Sequence, residues 1–109
     1  MRQVRQGDVL IHPVPSLPPT GAPVALEQGR TVLAHGEVTG HHHSFAPECA
    51  VALLEAPGDE ATTMLRYLKV DALSELVHQE HRAIPIEPGV GRVIRQREYH
   101  WYENRQVLD

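Results

Sequence analysis

Short apolar runs that end at proline or glycine recur along this chain and leave no room for a long helix. Residues 13–23 alone hold five prolines and one glycine, which exclude helix and central strand there. Extended runs are predicted at 8–14, 31–35, 41–45, 50–54 and 62–70. About seven or eight short strands at fairly regular spacing predict an all-β fold, a small barrel or sandwich, with residues 1–109 as a single β domain.

Two later segments set the limits of that prediction. Residues 71–78 fit either a short helix capped by Asp71 or a strand ending at Leu76 and Val77, so we expect at most one short helix. The runs on either side of Pro88 and Gly89 predict a β-hairpin, which would place Pro85 at an edge or a bulge.

The bulk properties exclude several classes of protein. A net charge of −4 in 109 residues disfavours a general nucleic-acid binder. The N-terminus lacks an apolar signal core, and no apolar run approaches the ~18 residues that span a membrane. A cytoplasmic location is the default expectation. A domain this small gains stability from a bound metal or a partner subunit, so a homo-oligomer stays open.

Histidine is the unusual residue, with eight in the chain. The sequence Gly36-Glu37-Val38-Thr39-Gly40-His41-His42-His43-Ser44-Phe45 contains a triplet. If 41–45 is extended, His41 and His43 point to one side, ~7 Å apart along the backbone. Metal–imidazole bonds are ~2.0–2.1 Å long, so this pair is a workable half-site, and His42 points the other way.

A second pair follows at His78-Gln79-Glu80-His81. Its spacing of three brings both rings together on a helical turn or across a bend. We predict that His41, His43, His78 and His81 bind one divalent ion, with Glu80 and Glu48 as further ligands. Imidazole suits zinc, iron, manganese or nickel, with an open position for water or a small-molecule ligand. The alternative is a set of surface histidines in loops.

The C-terminal run combines charge with aromatic rings. As a strand, it would show Arg95, Arg97, Tyr99 and Trp101 on one side and Gln96 and Glu98 on the other. This pattern fits either a stacking platform for a nucleotide or an edge strand kept soluble by charge. Glu98 could act as an acid or base only if it lies beside the ion.

The histidine motif resembles the first motif of the cupins. In that family a glycine leads to His-x-His and then to a glutamate, which matches Gly36, His41, His43 and Glu48, and Pro88-Gly89 resembles the second motif. The resemblance implies one metal ion inside a small β-barrel. The downstream histidines of this chain, however, precede the Pro-Gly turn.

The three motifs 36–43, 78–81 and 96–99, or GEVTGHxH, HxEH and QREY, together resemble a family of small uncharacterised bacterial and phage proteins. That resemblance implies no activity. Three functions are therefore open: a metal enzyme that activates water or a small-molecule substrate, a metal-stabilised interaction module, and a nucleic-acid accessory protein that uses the C-terminal arginines and aromatics.

Overall fold

Antiparallel strands make up the regular structure of this protein. The computed structural model describes residues 1–36, 38–58 and 63–95, and within them it contains strands and no helix. The strands are β1 (Val4–Gln6), β2 (Val9–Pro13), β3 (Ala22–Pro23), β4 (Thr31–His35), β5 (His42–Phe45), β6 (Val51–Pro57), β7 (Met64–Val70), β8 (Ser74–Leu76), β9 (Ile84–Ile86) and β10 (Gly89–Arg95).

Six strands form one sheet in the order β1-β2-β10-β7-β6-β3, and every neighbouring pair is antiparallel. The β4–β5 hairpin and the β8–β9 pair form two smaller sheets. Strands β1 and β3 are the two edges of the large sheet, so the described strands do not close into a barrel.

The hydrophobic core lies between the large sheet and the two small ones. Period-2 alternation puts every second side chain of β2, β7 and β10 on the same face. That face packs against β4, β5, β8 and β9 in one buried cluster, a layered arrangement closer to a sandwich. The cluster comprises Val9, Ile11, Leu33, Ala34, Phe45, Leu53, Leu68, Val70, Leu76, Ile86 and Val93.

Most predicted strands are present, and the all-β class is confirmed. Residues 31–35 form β4, and the ambiguous segment 71–78 contains β8, so no helix starts at Asp71. Pro85 lies in β9, which pairs only with β8 among the described strands, so its missing N–H can face the open edge.

The predicted hairpin around Pro88 and Gly89 is wrong. Strand β9 pairs with β8, whereas β10 enters the large sheet between β2 and β7. Gly89 has a φ of 143°, which lets the chain leave one sheet and join the other. The chain does turn between β9 and β10, but each of these strands pairs with a strand that is more distant in the sequence. The structure contains no helix long and apolar enough to cross a membrane in the ranges that it describes.

Candidate functional site

The two histidine motifs meet through a backbone bridge between β5 and the segment that follows β8. Ser44 N donates to Val77 O at 3.0 Å, and Val77 N donates to Ser44 O at 2.9 Å. His43 and His78 each lie one residue from this bridge. The pairing therefore brings residues more than 30 positions apart to the same place, which sequence spacing alone could not specify.

The four imidazoles form a compact group, which we call the histidine cluster (His41, His43, His78 and His81). Ring centroids lie 4.4 Å apart for His43 and His78, 5.5 Å for His41 and His78, and 4.7 Å for His78 and His81. A cavity of about 260 Å³ opens beside them. It is lined by Asp8, Gly36, Val38, His41, His43, His78, Glu80 and His81.

The carboxylates predicted as further ligands divide into three cases. Glu80 lines the cavity, and its Oε1 lies 3.7 Å from Nδ1 of His41. Glu48 is exposed in the turn after β5 and does not line the cavity. Glu98 lies outside the described residues, as do Gln96, Arg97 and the C-terminal aromatic residues.

Two residues that the sequence motifs did not predict, Gln6 and Asp8, contact His43 of the histidine cluster. They flank Gly7 in the turn of the β1–β2 hairpin. Gly7 has a φ of 57°, in the left-handed region that glycine adopts without strain. A Gly-Asp pair between two short β-branched runs is a turn signal, but nothing local shows that this turn reaches the histidines.

Gln6 fixes the proton position on His43. The Gln6 side chain is buried, and its Nε2 donates to Leu76 O and to Arg82 O, each at 2.9 Å. Its Oε1 must therefore accept a hydrogen bond from Nδ1 of His43, at 2.8 Å. Neutral His43 then carries its proton on Nδ1, and the lone pair of Nε2 is free. Metal-binding histidines use the same kind of outer hydrogen bond.

His43 is uncharged at neutral pH. Burial lowers its pKa to about 4, with the positive charges of His78 and His81 acting in the same direction and Asp8 opposing them. Nε2 of neutral His43 faces Oδ1 of Asp8 at 3.4 Å. A lone pair thus points at a carboxylate oxygen, a contact that favours a cation between the two atoms.

The spacing of these two atoms also suits a metal ion. Two ligands at ~2.0–2.2 Å from a tetrahedral ion are roughly 3.4 Å apart, and the observed separation is 3.4 Å. Oδ2 of Asp8 accepts from Nη2 of Arg95 at 2.9 Å, which fixes the carboxylate. Burial alone would raise the pKa of Asp8, but the hydrogen bond and charge of Arg95 outweigh it and lower that pKa.

The remaining donors are not yet arranged around a common point. In the described part of the chain, no three His, Cys, Asp or Glu side chains form a ready-made metal-binding group. Nδ1 of His78 accepts from Glu80 N at 3.0 Å, which places the proton of the neutral ring on Nε2. His78 would have to turn or exchange that proton to bind an ion, so the role of the histidine cluster as ligands stays a prediction.

The other predicted orientation concerns His42, which lies on the opposite side of β5. Its backbone N donates to Oε1 of Gln79, and its ring meets that of His35, the residue paired with it across the β4–β5 hairpin. Burial is the largest cause of a lowered pKa for His42. His42 is therefore separate from the histidine cluster.

Gly7 allows the β1–β2 turn to lie against the cluster. A methyl group there would lie 2.7 Å from Nε2 of His81 and 3.2 Å from Cε1 of His43. We expect Gly7→Ala to cost about 1–2 kcal/mol through its left-handed backbone and to displace the His81 ring. Urea unfolding measures the first effect, and the imidazole NMR signals report the second.

Gly40→Ala is the matched control for Gly7→Ala. Gly40 has a φ of 85°, but its added methyl group would meet no atom within 4 Å. We expect a similar loss of stability with His81 and His43 signals unmoved. Equal movement of those signals in both variants would show that Gly7 does not contact the cluster closely.

Comparison with protein families places the chain in an uncharacterised group. It belongs to the family described as a domain of unknown function (DUF8820), whose model matches residues 5–96. The match spans the β1–β2 turn and both histidine motifs. No curated protein and no solved structure matches the chain. The family brings no activity, and the cupin resemblance stays a prediction.

Proposed function

We propose that this protein binds one divalent transition metal at the histidine cluster and Asp8. The supporting observation is the pair of facing acceptors, Nε2 of His43 and Oδ1 of Asp8, 3.4 Å apart. Gln6 holds the imidazole and Arg95 holds the carboxylate from behind. Such outer contacts orient ligands and tune metal affinity. His41, His78 or His81 would supply the further ligands after rotating toward these two atoms.

The donor set indicates which metals fit. Imidazole nitrogens with a carboxylate oxygen suit zinc, iron, manganese or nickel. The lack of a cysteine among the lining residues argues against a structural thiolate site. The cavity leaves room for water or a small ligand on an open coordination position. Asp8 and the histidine cluster would hold the ion, and the chemistry it would supply is polarisation of that ligand or a lowered pKa of a bound water.

The direct test uses protein purified without a histidine tag. Calorimetry measures its zinc affinity in a titration, and elemental analysis measures the zinc content. We expect about one zinc per chain. His41→Ala and Asp8→Asn should each weaken binding about tenfold or more, because each removes one ligand or the carboxylate charge. His41 is a better choice than His43 because the His41 side chain is 21% exposed, whereas His43 is buried and its loss would disturb the core.

His12→Ala is the matched control. His12 is exposed on β2, and its Nδ1 is bonded to Oε1 of Gln3, away from the cluster. Zinc affinity unchanged in this variant and reduced in the other two supports the proposal. Equal affinity in all three variants would contradict it. A bound ion with an exchangeable water favours the enzymatic alternative, and a fully protein-ligated ion favours the interaction module.

A further inference from the structure

A second cavity, of about 370 Å³, lies between β4 and the inner face of the large sheet. Its walls combine apolar side chains with two arginines, a composition typical of sites for small organic ligands. The lining residues are Glu27, Val32, Leu33, Ala34, His35, Arg66, Val93 and Arg95. This cavity is distinct from that of the histidine cluster, with which it shares none of its lining residues.

The sheet register explains why Arg66 faces inward. Arg66 on β7 is opposite Val93 on β10, and Val93 belongs to the buried face. Strand β4 has a bulge between Val32 and Ala34, and Arg66 Nη1 donates to the carbonyl of the intervening Leu33 at 3.1 Å. Nε of Arg66 donates to Glu55 at 3.0 Å. These contacts hold the guanidinium at the cavity wall.

Arg95 lies two residues after Val93, so it shares the inner face of the sheet. It is the diagonal neighbour of Arg66 across the strands, and diagonal neighbours have Cα atoms roughly 7–8 Å apart. Nη2 of Arg95 donates to Asp8. Its Nε is buried and has no hydrogen-bond partner among the described residues. A buried N–H without a partner costs roughly 1–3 kcal/mol, so a ligand or a water that accepts from it would be favoured.

We propose that this cavity binds the carboxylate of a small organic acid. Two guanidinium groups on adjacent strands offer the planar, paired donors that carboxylates prefer. The carboxylates nearby each form an ion pair within the protein: Glu27 with His35, Glu55 with Arg66, and Asp8 with Arg95. Each guanidinium carries five N–H donors, of which its ion pair uses only some. The apolar wall of Val32, Leu33, Ala34 and Val93 suits a short hydrocarbon tail better than a fully hydrated inorganic anion.

The test uses butyrate as the probe and its neutral analogue butyramide as the ligand control. Both are titrated into the full chain treated with a chelator, because a metal at the histidine cluster would itself bind carboxylates. NMR follows the side-chain Nε–Hε signals of the arginines. We expect butyrate to shift the signals of Arg66 and Arg95, and butyramide to leave them in place. A failure of the metal proposal would not alter this result.

Substitutions locate the site. Arg66→Gln should weaken butyrate binding about tenfold or more, the loss of one charge-assisted hydrogen bond. Arg92→Gln is the matched control, since Arg92 is opposite Tyr67 on the other face of the same strands. Equal butyrate binding in both variants, or butyramide binding as tight as that of butyrate, would overturn the proposal. Inorganic phosphate is titrated in the same way, and phosphate binding tighter than that of butyrate would also overturn it. Should Arg66→Gln fail to fold, the comparison of butyrate with butyramide in the unmodified protein still decides.

Discussion

Gln6→Leu is expected to destabilise the protein by about 3 kcal/mol or more and to weaken metal binding by roughly 10- to 100-fold. Gln6 makes two buried hydrogen bonds, to Leu76 O and Nδ1 of His43, and a partly buried one to Arg82 O. Leucine has a similar size but leaves all three partners unpaired, at roughly 1–3 kcal/mol each. The same change frees the His43 ring to choose the other tautomer, which removes the Nε2 lone pair from the site.

Gln79→Leu is the matched control for Gln6→Leu. The Gln79 side chain is exposed and bonds His42, outside the cluster. Gln79→Leu should lower the free energy of unfolding by much less than Gln6→Leu does, because water can replace the contacts of an exposed side chain. Urea unfolding at neutral pH and zinc calorimetry measure the two effects. Similar losses in both variants would mean that the buried network around Gln6 does not anchor the site.

The sequence predicted the strands of this fold better than their partners. Short apolar or partly alternating runs bounded by turn residues are sufficient to predict β2, β4, β6 and β7. The pairing of β10 with β2 and β7 depends on burial of Val93 against Ile11 and Leu68, residues distant in the chain. Nothing near Pro88 and Gly89 encodes that choice, so the hairpin prediction failed there.

The candidate site shows the same division. Period-2 geometry predicted that His41 and His43 share a side and that His42 does not. In the structure His41 and His43 line the cavity beside the histidine cluster, and His42 does not line it. Gln6 and Asp8 could not be predicted, because their proximity to the cluster arises from the β1–β2 turn and from bonds to Leu76, Arg82 and Arg95. Buried polar networks of this kind join elements that the sequence does not mark as related.

Acidification of the metal-free protein is expected to remove about 3 kcal/mol of stability between pH 6.5 and pH 4. The pKa of His43 falls from its usual 6.5 to about 4 in the fold, chiefly through burial. Between these two values the unfolded chain binds a proton that the native protein does not, so stability falls as the pH is lowered. Each pKa unit corresponds to about 1.4 kcal/mol.

Other titratable groups near the site also lower the stability of the fold as the pH falls. Burial is also the largest cause of the lowered pKa values of His42 and His78, so both favour the neutral, higher-pH fold. Asp8 has a lowered pKa as well, and its contribution is lost only at more acidic pH, below its usual value of 3.8. The loss between pH 6.5 and pH 4 is therefore a histidine effect, and His43, the most buried of these histidines, dominates it.

Urea unfolding with a chelator present, at pH 7 and at pH 4, measures this loss. His43→Gln removes the titrating ring while an amide can still bond Gln6, so its unfolding free energy should vary much less between the two pH values. The NMR titration of the His43 ring protons is an independent check, with an expected midpoint near pH 4. A midpoint near the ordinary 6.5, or an unchanged pH dependence in the variant, would show that the ring is solvated and not held neutral against Gln6. In that case the lone pair facing Asp8, on which the proposed metal site rests, would be protonated in mildly acidic solution.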